Sequence, residues 1–185
     1  MKRVTYKGLT FEPYIESHRI AERINQIGKE ISLRFEGKVP LLICVLNGAF
    51  PFAADLFRSL DIDAEITFIR LKSYEGMSGG GAVKEIVGLS EDIEGRDVIV
   101  VEDIIDTGNT MAKLLRDLKE RNPASVSVAT LLYKPEAVRE DINPDYVGFT
   151  IPSKFIIGFG LDLDGIARNL RDIYVLSEHA GESQC

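Results

Sequence analysis

The stretch "VIVVEDIIDTGNT" (98–110) sets three carboxylates, Glu102, Asp103 and Asp106, after four apolar residues and just before a small polar run, Thr107, Gly108, Asn109 and Thr110. Carboxylates this close repel one another unless a cation or a set of hydroxyl donors faces them. They suit a divalent cation shared with ligand oxygens, and one of them suits proton removal. The run after Asp106 suits a third task. Backbone N–H groups at a helix start, two threonine hydroxyls and an asparagine amide can surround a phosphate monoester, Gly108 lets the backbone approach closely, and the helix dipole favours the charge. Asp, Thr and Asn are also ordinary helix caps that satisfy the same N–H groups without a ligand. Capping accounts for one acid and leaves Glu102 and Asp103 in need of a cation or hydroxyl donors.

Other phosphate and nucleotide motifs fail on their spacing. "SGGGAVKE" lacks the GxxxxGK followed by Ser or Thr of a P-loop. "GFGLDLDG" has Leu163 where a dinucleotide fingerprint needs its third glycine. A phosphatase with a DxD nucleophile wants aspartates two apart, and Asp103 and Asp106 are three apart.

The elements that must hold these residues alternate in type. "LLICVL" (41–46) reads as a strand buried on both faces, as in a parallel sheet, and "DVIVVE" (97–102) as another short apolar strand. "AEITFIRL" (64–71), "SVSVATLLY" (125–133), "YVGFTIP" and "DIYVL" supply further strands. Ile20, Ile24, Ile27 and Ile31 recur at helical spacing and predict an amphipathic helix over 14–35. "NGAFPFAADLFRSL" reads as a turn and short helix, and "GNTMAKLLRDLKE" as a helix with Met111, Leu114, Leu115 and Leu118 on one face. Alternating strands and helices predict an α/β fold with a parallel or mostly parallel sheet. With no internal repeat and no linker, residues 1–185 read as a single domain. In such sheets ligands bind beyond the carboxyl ends of the strands, where the three acids fall.

Residues 73–88 break the pattern. They carry five glycines between two strands and little apolar periodicity before Val83. They read as a long loop, either an ordinary surface excursion or a lid whose glycines absorb the backbone changes of closing.

Charge and composition narrow the partners. Lys plus Arg number 22 against 29 Asp plus Glu, a formal charge of −7, which argues against non-specific attraction to nucleic acid or to anionic membrane. The apolar runs are too short to span a bilayer, and "MKRVTYKGLT" has no apolar signal region. Cys44 lies in a strand and Cys185 at the end of the sequence, so reduced thiols and a cytoplasmic address are expected. His18 and His179 lie far apart and suggest no zinc site.

At "EDIIDTG" the sequence resembles the phosphoribosyl-pyrophosphate signature of type I phosphoribosyltransferases, most closely that of the hypoxanthine-guanine branch. "CVLNGAFPFAADL", "FIRLKSYEGM", "VATLLYKPE" and "FTIPSKFIIGFGLDLDGIARNL" are similar to further blocks of that branch, in its order, so the likeness spans about residues 41–176. It implies a central, mostly parallel sheet flanked by helices, a small hood made by the N- and C-terminal segments, and a flexible lid loop over 73–88. The purine and hood segment would be about 149–176. The implied reaction replaces the pyrophosphate of phosphoribosyl pyrophosphate by a ring nitrogen of hypoxanthine or guanine.

Residue by residue, the resemblance implies that Glu102 and Asp103 face the ribose hydroxyls and hold Mg²⁺, and that Asp106 is the general base. Residues 106–110 would hold the 5′-phosphate. Asn47, Gly48, Arg168 and the lid residues Ser73 and Tyr74 would face pyrophosphate. Lys134 would donate to the purine oxo group, and Phe155 would stack on the base with backbone groups of Phe155 and Ile156 at its edge. Asp162 would sit near the base and reach a second Mg²⁺. Relatives are homodimers or homotetramers.

Each assignment has a plainer reading. Lys134 can be a solvated lysine at a strand end, Phe155 a core aromatic, and "LNGAF" a simple strand-to-helix turn. Two positions depart from the family pattern: Asn47 stands where many relatives have lysine, and so does Asn109 in some. The first leaves the pyrophosphate loop one positive charge short, so Gly48 and backbone N–H groups are expected to carry that contact. The resemblance also implies a cis peptide at Leu46–Asn47. A nucleotide-sensing regulator on the same fold is the competing reading, and the acidic charge and the presence of both a base and a lid weigh against it.

Overall fold

The structure is a computed structural model that describes residues 2–74 and 83–177. Its centre is a six-stranded sheet. β3 (Leu41–Leu46) and β6 (Asp97–Ile105) lie in the middle, flanked by β4 (Glu65–Tyr74) and β5 (Val83–Val87) on one side and by β7 (Ser125–Tyr133) and β8 (Tyr146–Thr150) on the other. All neighbours pair in parallel except β5, which runs antiparallel to β4 at the edge.

The alternation along β3 explains why "LLICVL" is apolar throughout. Leu42 and Cys44 face one core with Ile99, Val101, Ala129 and Leu131. Leu41, Ile43 and Val45 face a second core with Val98, Val100 and Val128. Over the first lie α1 (Ser17–Arg34), which presents Ile20, Ile24, Ile27 and Ile31, and α2 (Phe50–Arg58), which presents Phe52, Ala53 and Leu56. Over the second lies α3 (Asn109–Lys119), through Met111, Ala112, Leu114 and Leu118. Both faces are covered, as a parallel sheet requires.

A smaller antiparallel sheet forms the hood, in the order β1 (Val4–Tyr6), β2 (Leu9–Ile15), β10 (Ile173–Leu176) and β9 (Ile156–Ile157). Phe11, Ile157, Ala167 and Tyr174 make its own core. N- and C-terminal segments therefore meet here, as expected. "DIYVL" pairs with β2 rather than joining the parallel sheet.

Several boundaries differ from the sequence reading. The first helix starts at Ser17 instead of 14, because residues 13–15 are held by β10 in the hood. Its N-terminus has no side-chain cap of its own; the Ser17 N–H donates to Asp172 Oδ1 at 2.7 Å from across the chain. β6 runs on to Ile105, so Glu102 and Asp103 lie within the strand, because β7 keeps pairing with it to Ile104↔Leu132 and Ile105↔Tyr133. The expected lid over 73–88 begins and ends as paired strand, with Ser73↔Lys84 and Tyr74↔Val83 in register; residues 75–82, its centre, lie outside the described residues.

Cys44 is wholly buried in β3. Burial first, and then the charges of Glu102 and Asp103, push its thiol up to about 12. A raised thiol pKa favours the neutral form. Its stabilising contribution is thus present below the ordinary thiol value of about 8.5 and is lost as pH rises from there towards 12.

Ile27→Ala empties a fully buried position in the first core and is expected to lower the unfolding free energy by about 2–5 kcal/mol. Leu33→Ala, 77% exposed on the same helix, should change it by less than about 0.5 kcal/mol; urea midpoints compare the two. Cys44 should resist a thiol-directed reagent at pH 8 in the folded protein and react fully in urea, read by peptide mass spectrometry. Rapid labelling of the native protein would contradict the burial.

Candidate active site

The site is built on loops at the carboxyl ends of β3, β6 and β7, closed from above by the hood. The β3–α2 loop begins with a cis peptide at Leu46–Asn47, as expected. Asn47 Oδ1 accepts a hydrogen bond of 2.7 Å from Arg70 Nη2 of β4. A β-carbon on Gly48 would overlap the Asp103 carboxylate, and one on Gly160 would overlap the Gly48 carbonyl. Only glycine lets β3, β6 and the hood converge this closely.

The three acids each accept a hydrogen bond from the chain. Glu102 Oε1 accepts from the Asp103 N–H at 3.1 Å, and Asp103 Oδ1 from the Ile104 N–H at 2.9 Å. Asp106 Oδ2 accepts from Lys134 Nζ at 2.8 Å. Backbone N–H groups thus engage one oxygen each of Glu102 and Asp103, and an ammonium engages Asp106. Strand alternation separates the first two: Glu102 lines a hollow in front of α3, while Asp103 turns to Gly48.

That hollow, about 120 Å³, is shared by Glu102, Asp106, Thr107, Gly108 and Thr110. Gly108 caps α3 at φ +81, where a side chain is strained, and a β-carbon would also press within 2.9 Å of Ile142. The cap makes no side-chain hydrogen bond to the helix. The alternative that Asp, Thr or Asn serves as its cap is thereby set aside. Asn109 is the exposed first residue of α3. The Arg139 N–H donates to the Thr107 carbonyl at 3.0 Å, so the segment after β7 braces the loop.

Lys134 is buried, its side chain 8% exposed, against 48% for Asp106. It is therefore no solvated strand-end lysine. Its backbone N–H bonds to the Ile105 carbonyl at 3.0 Å, fixing it beside the end of β6. Phe155 is 46% exposed and packs on Phe11, ring centres 6.2 Å apart. It is thus not a core residue. Its carbonyl accepts from the Leu176 N–H at 2.9 Å, while Ile156 is buried in β9. Asp162 accepts from Arg168 Nη2 and from the Gly165 N–H, both at 2.6 Å, and Arg168 Nη1 donates to the Gly160 carbonyl at 2.6 Å. Ser73 and Tyr74 end β4.

The structure thus links Asn47, Gly48 and Asp103 to Gly160, Arg168 and Asp162, and joins Asp106 to Lys134. Among the described residues no three metal-ligating side chains gather; Asp162 is held by Arg168. Arg70 escaped the sequence reading because nothing in "FIRL" signals a partner 23 residues earlier. Phe11, behind Phe155, belongs to a strand that sequence periodicity did not reveal.

Comparison with known proteins agrees with this geometry. Residues 13–164 match the phosphoribosyl transferase domain family. The chain is 42% identical over 163 residues to the hypoxanthine-guanine phosphoribosyltransferase of Lactococcus lactis, covering 88% of each. It superposes on a crystal structure of a Bacillus anthracis hypoxanthine-guanine phosphoribosyltransferase with a TM-score of 0.80 at 37% identity, covering 90% of this chain and 96% of the other. A ternary substrates complex of a mutant Trypanosoma cruzi hypoxanthine phosphoribosyltransferase gives 0.84 at 35% identity, covering 95% and 99%. The family match over residues 13–164, the 42% identity over most of the chain and the shared fold together show that the chain belongs to the phosphoribosyltransferase family, in its hypoxanthine-guanine branch.

Proposed function

We propose that this protein transfers the 5-phosphoribosyl group of phosphoribosyl pyrophosphate to hypoxanthine or guanine, giving IMP or GMP and pyrophosphate, as an enzyme of purine salvage. The observation that carries the assignment of roles is the Lys134–Asp106 pair beside the hollow at the start of α3. A buried ammonium and a half-exposed carboxylate in contact are suited to exchange partners when a purine arrives. Lys134 has donors only, so it selects an oxo group over an amino group. Once Lys134 turns to the oxo group, Asp106 is released to accept the proton of the ring nitrogen as the glycosidic bond forms.

The remaining roles follow position. Thr107 to Thr110 and the first N–H groups of α3 hold the 5′-phosphate. Glu102 and Asp103 face the ribose hydroxyls. Mg²⁺ suits a site with one or two carboxylates and substrate oxygens better than an all-protein cage, and these two acids would hold it, its charge offsetting that of the departing pyrophosphate. Asp162, near the base, would hold a second Mg²⁺ once substrate competes for Arg168. Gly48, Asn47 and Arg168 face pyrophosphate, with Ser73 and Tyr74 of the lid above it. Phe155 stacks on the purine, whose edge meets the backbone of Phe155 and Ile156.

Residues 1–185 act as a single domain, in the cytoplasm, as a homodimer or homotetramer. In support, no helix among the described residues is long and apolar enough to cross a membrane, and the net charge of −7 disfavours nucleic acid and anionic lipid as partners.

Mixing the protein with Mg²⁺, phosphoribosyl pyrophosphate and hypoxanthine should produce IMP, followed by ultraviolet absorbance; absence of turnover at micromolar protein would end this reading. Asp106→Asn is expected to lower kcat by about 10²–10⁴-fold with little change in the KM for phosphoribosyl pyrophosphate. An undiminished rate removes its role as base. Lys134→Ala should raise the KM for hypoxanthine by about tenfold or more, as for a lost charged hydrogen bond. Equal losses for both substrates would instead mark the lysine as structural.

A further inference from the structure

Asn47 places an uncharged amide at the head of the β3–α2 loop, and its Oδ1 is turned to a cation. Arg70 lies one strand away, in register with Leu46, and its Nη2 meets Asn47 Oδ1 at 2.7 Å. Arg70 is exposed and forms no ion pair with a carboxylate among the described residues. The guanidinium has five donors, and one of them is engaged by Asn47. Among the described residues the contact of this exposed arginine is with a neutral amide, at the carboxyl end of a parallel strand where ligands bind, an arrangement suited to an anion.

The same loop is reached from the other side. Arg168 Nη1 donates to the Gly160 carbonyl, and Gly160 lies against the carbonyl of Gly48. Arg168, however, is already paired with Asp162. Arg70 is therefore the guanidinium at this loop that no acid neutralises among the described residues.

We propose that Arg70, oriented by Asn47, binds the departing pyrophosphate, and that the two side chains work as one unit. Arg70 supplies the charge, and Asn47 is a positioning residue whose carbonyl oxygen fixes the planar guanidinium so that its remaining donors face phosphate oxygens bidentately. This rests on the phosphoribosyltransferase reading of the site.

Steady-state kinetics in both directions, with hypoxanthine and phosphoribosyl pyrophosphate or with IMP and pyrophosphate, test it on Arg70→Ala, Arg70→Lys, Asn47→Ala and the double variant. Arg70→Ala is expected to raise the KM for pyrophosphate and for phosphoribosyl pyrophosphate by about tenfold, the scale of a charged hydrogen bond weakened by solvent. The KM for hypoxanthine and the melting temperature should stay within twofold and about 2 °C of the parent. Arg70→Lys should recover part of the loss. Asn47→Ala should lose less than Arg70→Ala, and the double variant no more than Arg70→Ala alone. Calorimetric titration of magnesium pyrophosphate into the IMP-bound protein reads the same step without turnover.

Unchanged pyrophosphate affinity in Arg70→Ala, in a parent that makes IMP, overturns the inference and leaves the enzyme reading intact. So does equal loss for hypoxanthine and pyrophosphate, which marks a merely structural arginine, or additive losses in the double variant, which separate Asn47 from Arg70. A parent that neither makes IMP nor binds pyrophosphate overturns both.

Discussion

The rest of the site depends on one steric constraint: the chain passes between the Asp103 carboxylate and Gly160 at Gly48, with no room for a β-carbon on either glycine. Three layers meet at that point. β3 brings the loop, β6 brings the acid, and the segment between β9 and β10 brings the hood down onto the loop. Packing of this density does not deform continuously, so a displacement of the hood would be felt at Asp103 and through it along β6. The β3–α2 loop, the acidic strand and the Arg168–Asp162 pair are thereby held in one relation.

Within that frame each acid is engaged by the protein itself. Glu102 and Asp103 accept backbone N–H groups next to them, and Asp106 accepts the Lys134 ammonium. A lysine this buried is destabilising without a partner, because removing one member of a buried pair leaves an uncompensated charge. In the proposed reaction, a purine that takes the place of Asp106 must offer Lys134 a comparable acceptor. A 6-oxo group does so, whereas an amino group presents another donor. Under that proposal selectivity and activation share one event, since the ligand atom that satisfies Lys134 is the one that releases Asp106 as base. Recognition by an unpaired buried group discriminates far more sharply than recognition by shape.

What the sequence could express, and what it could not, divides along local and distant causes. "LLICVL" announced a strand covered on both faces because period-two burial toward two separate cores leaves every residue apolar. The isoleucines of α1 announced their helix for a similarly local reason. Its start at Ser17 was hidden, since the cap comes from Asp172, 155 residues on, and residues 13–15 are claimed by a strand from the other end of the chain. The extension of β6 to Ile105 was hidden too. Acids normally end an apolar strand, and here β7 holds them in the ladder. In the site, the resemblance named Asp106 and Lys134 separately; their contact with each other became visible only when β6 and β7 were placed side by side.

Asn47 shows how a local departure can be absorbed by a distant residue. Read alone, an amide in place of an ammonium leaves the loop one charge short. In the fold, the parallel register that sets Leu46 beside Arg70 brings a guanidinium to that amide. A lysine at position 47 would repel Arg70, and an aspartate would neutralise it. An amide does neither, and its carbonyl oxygen constrains the direction of the fork. With Arg70 as the proposed pyrophosphate ligand, the cation stands on a planar group of an adjacent strand rather than on a flexible stem in the loop, and its attachment to the sheet limits the freedom lost on binding.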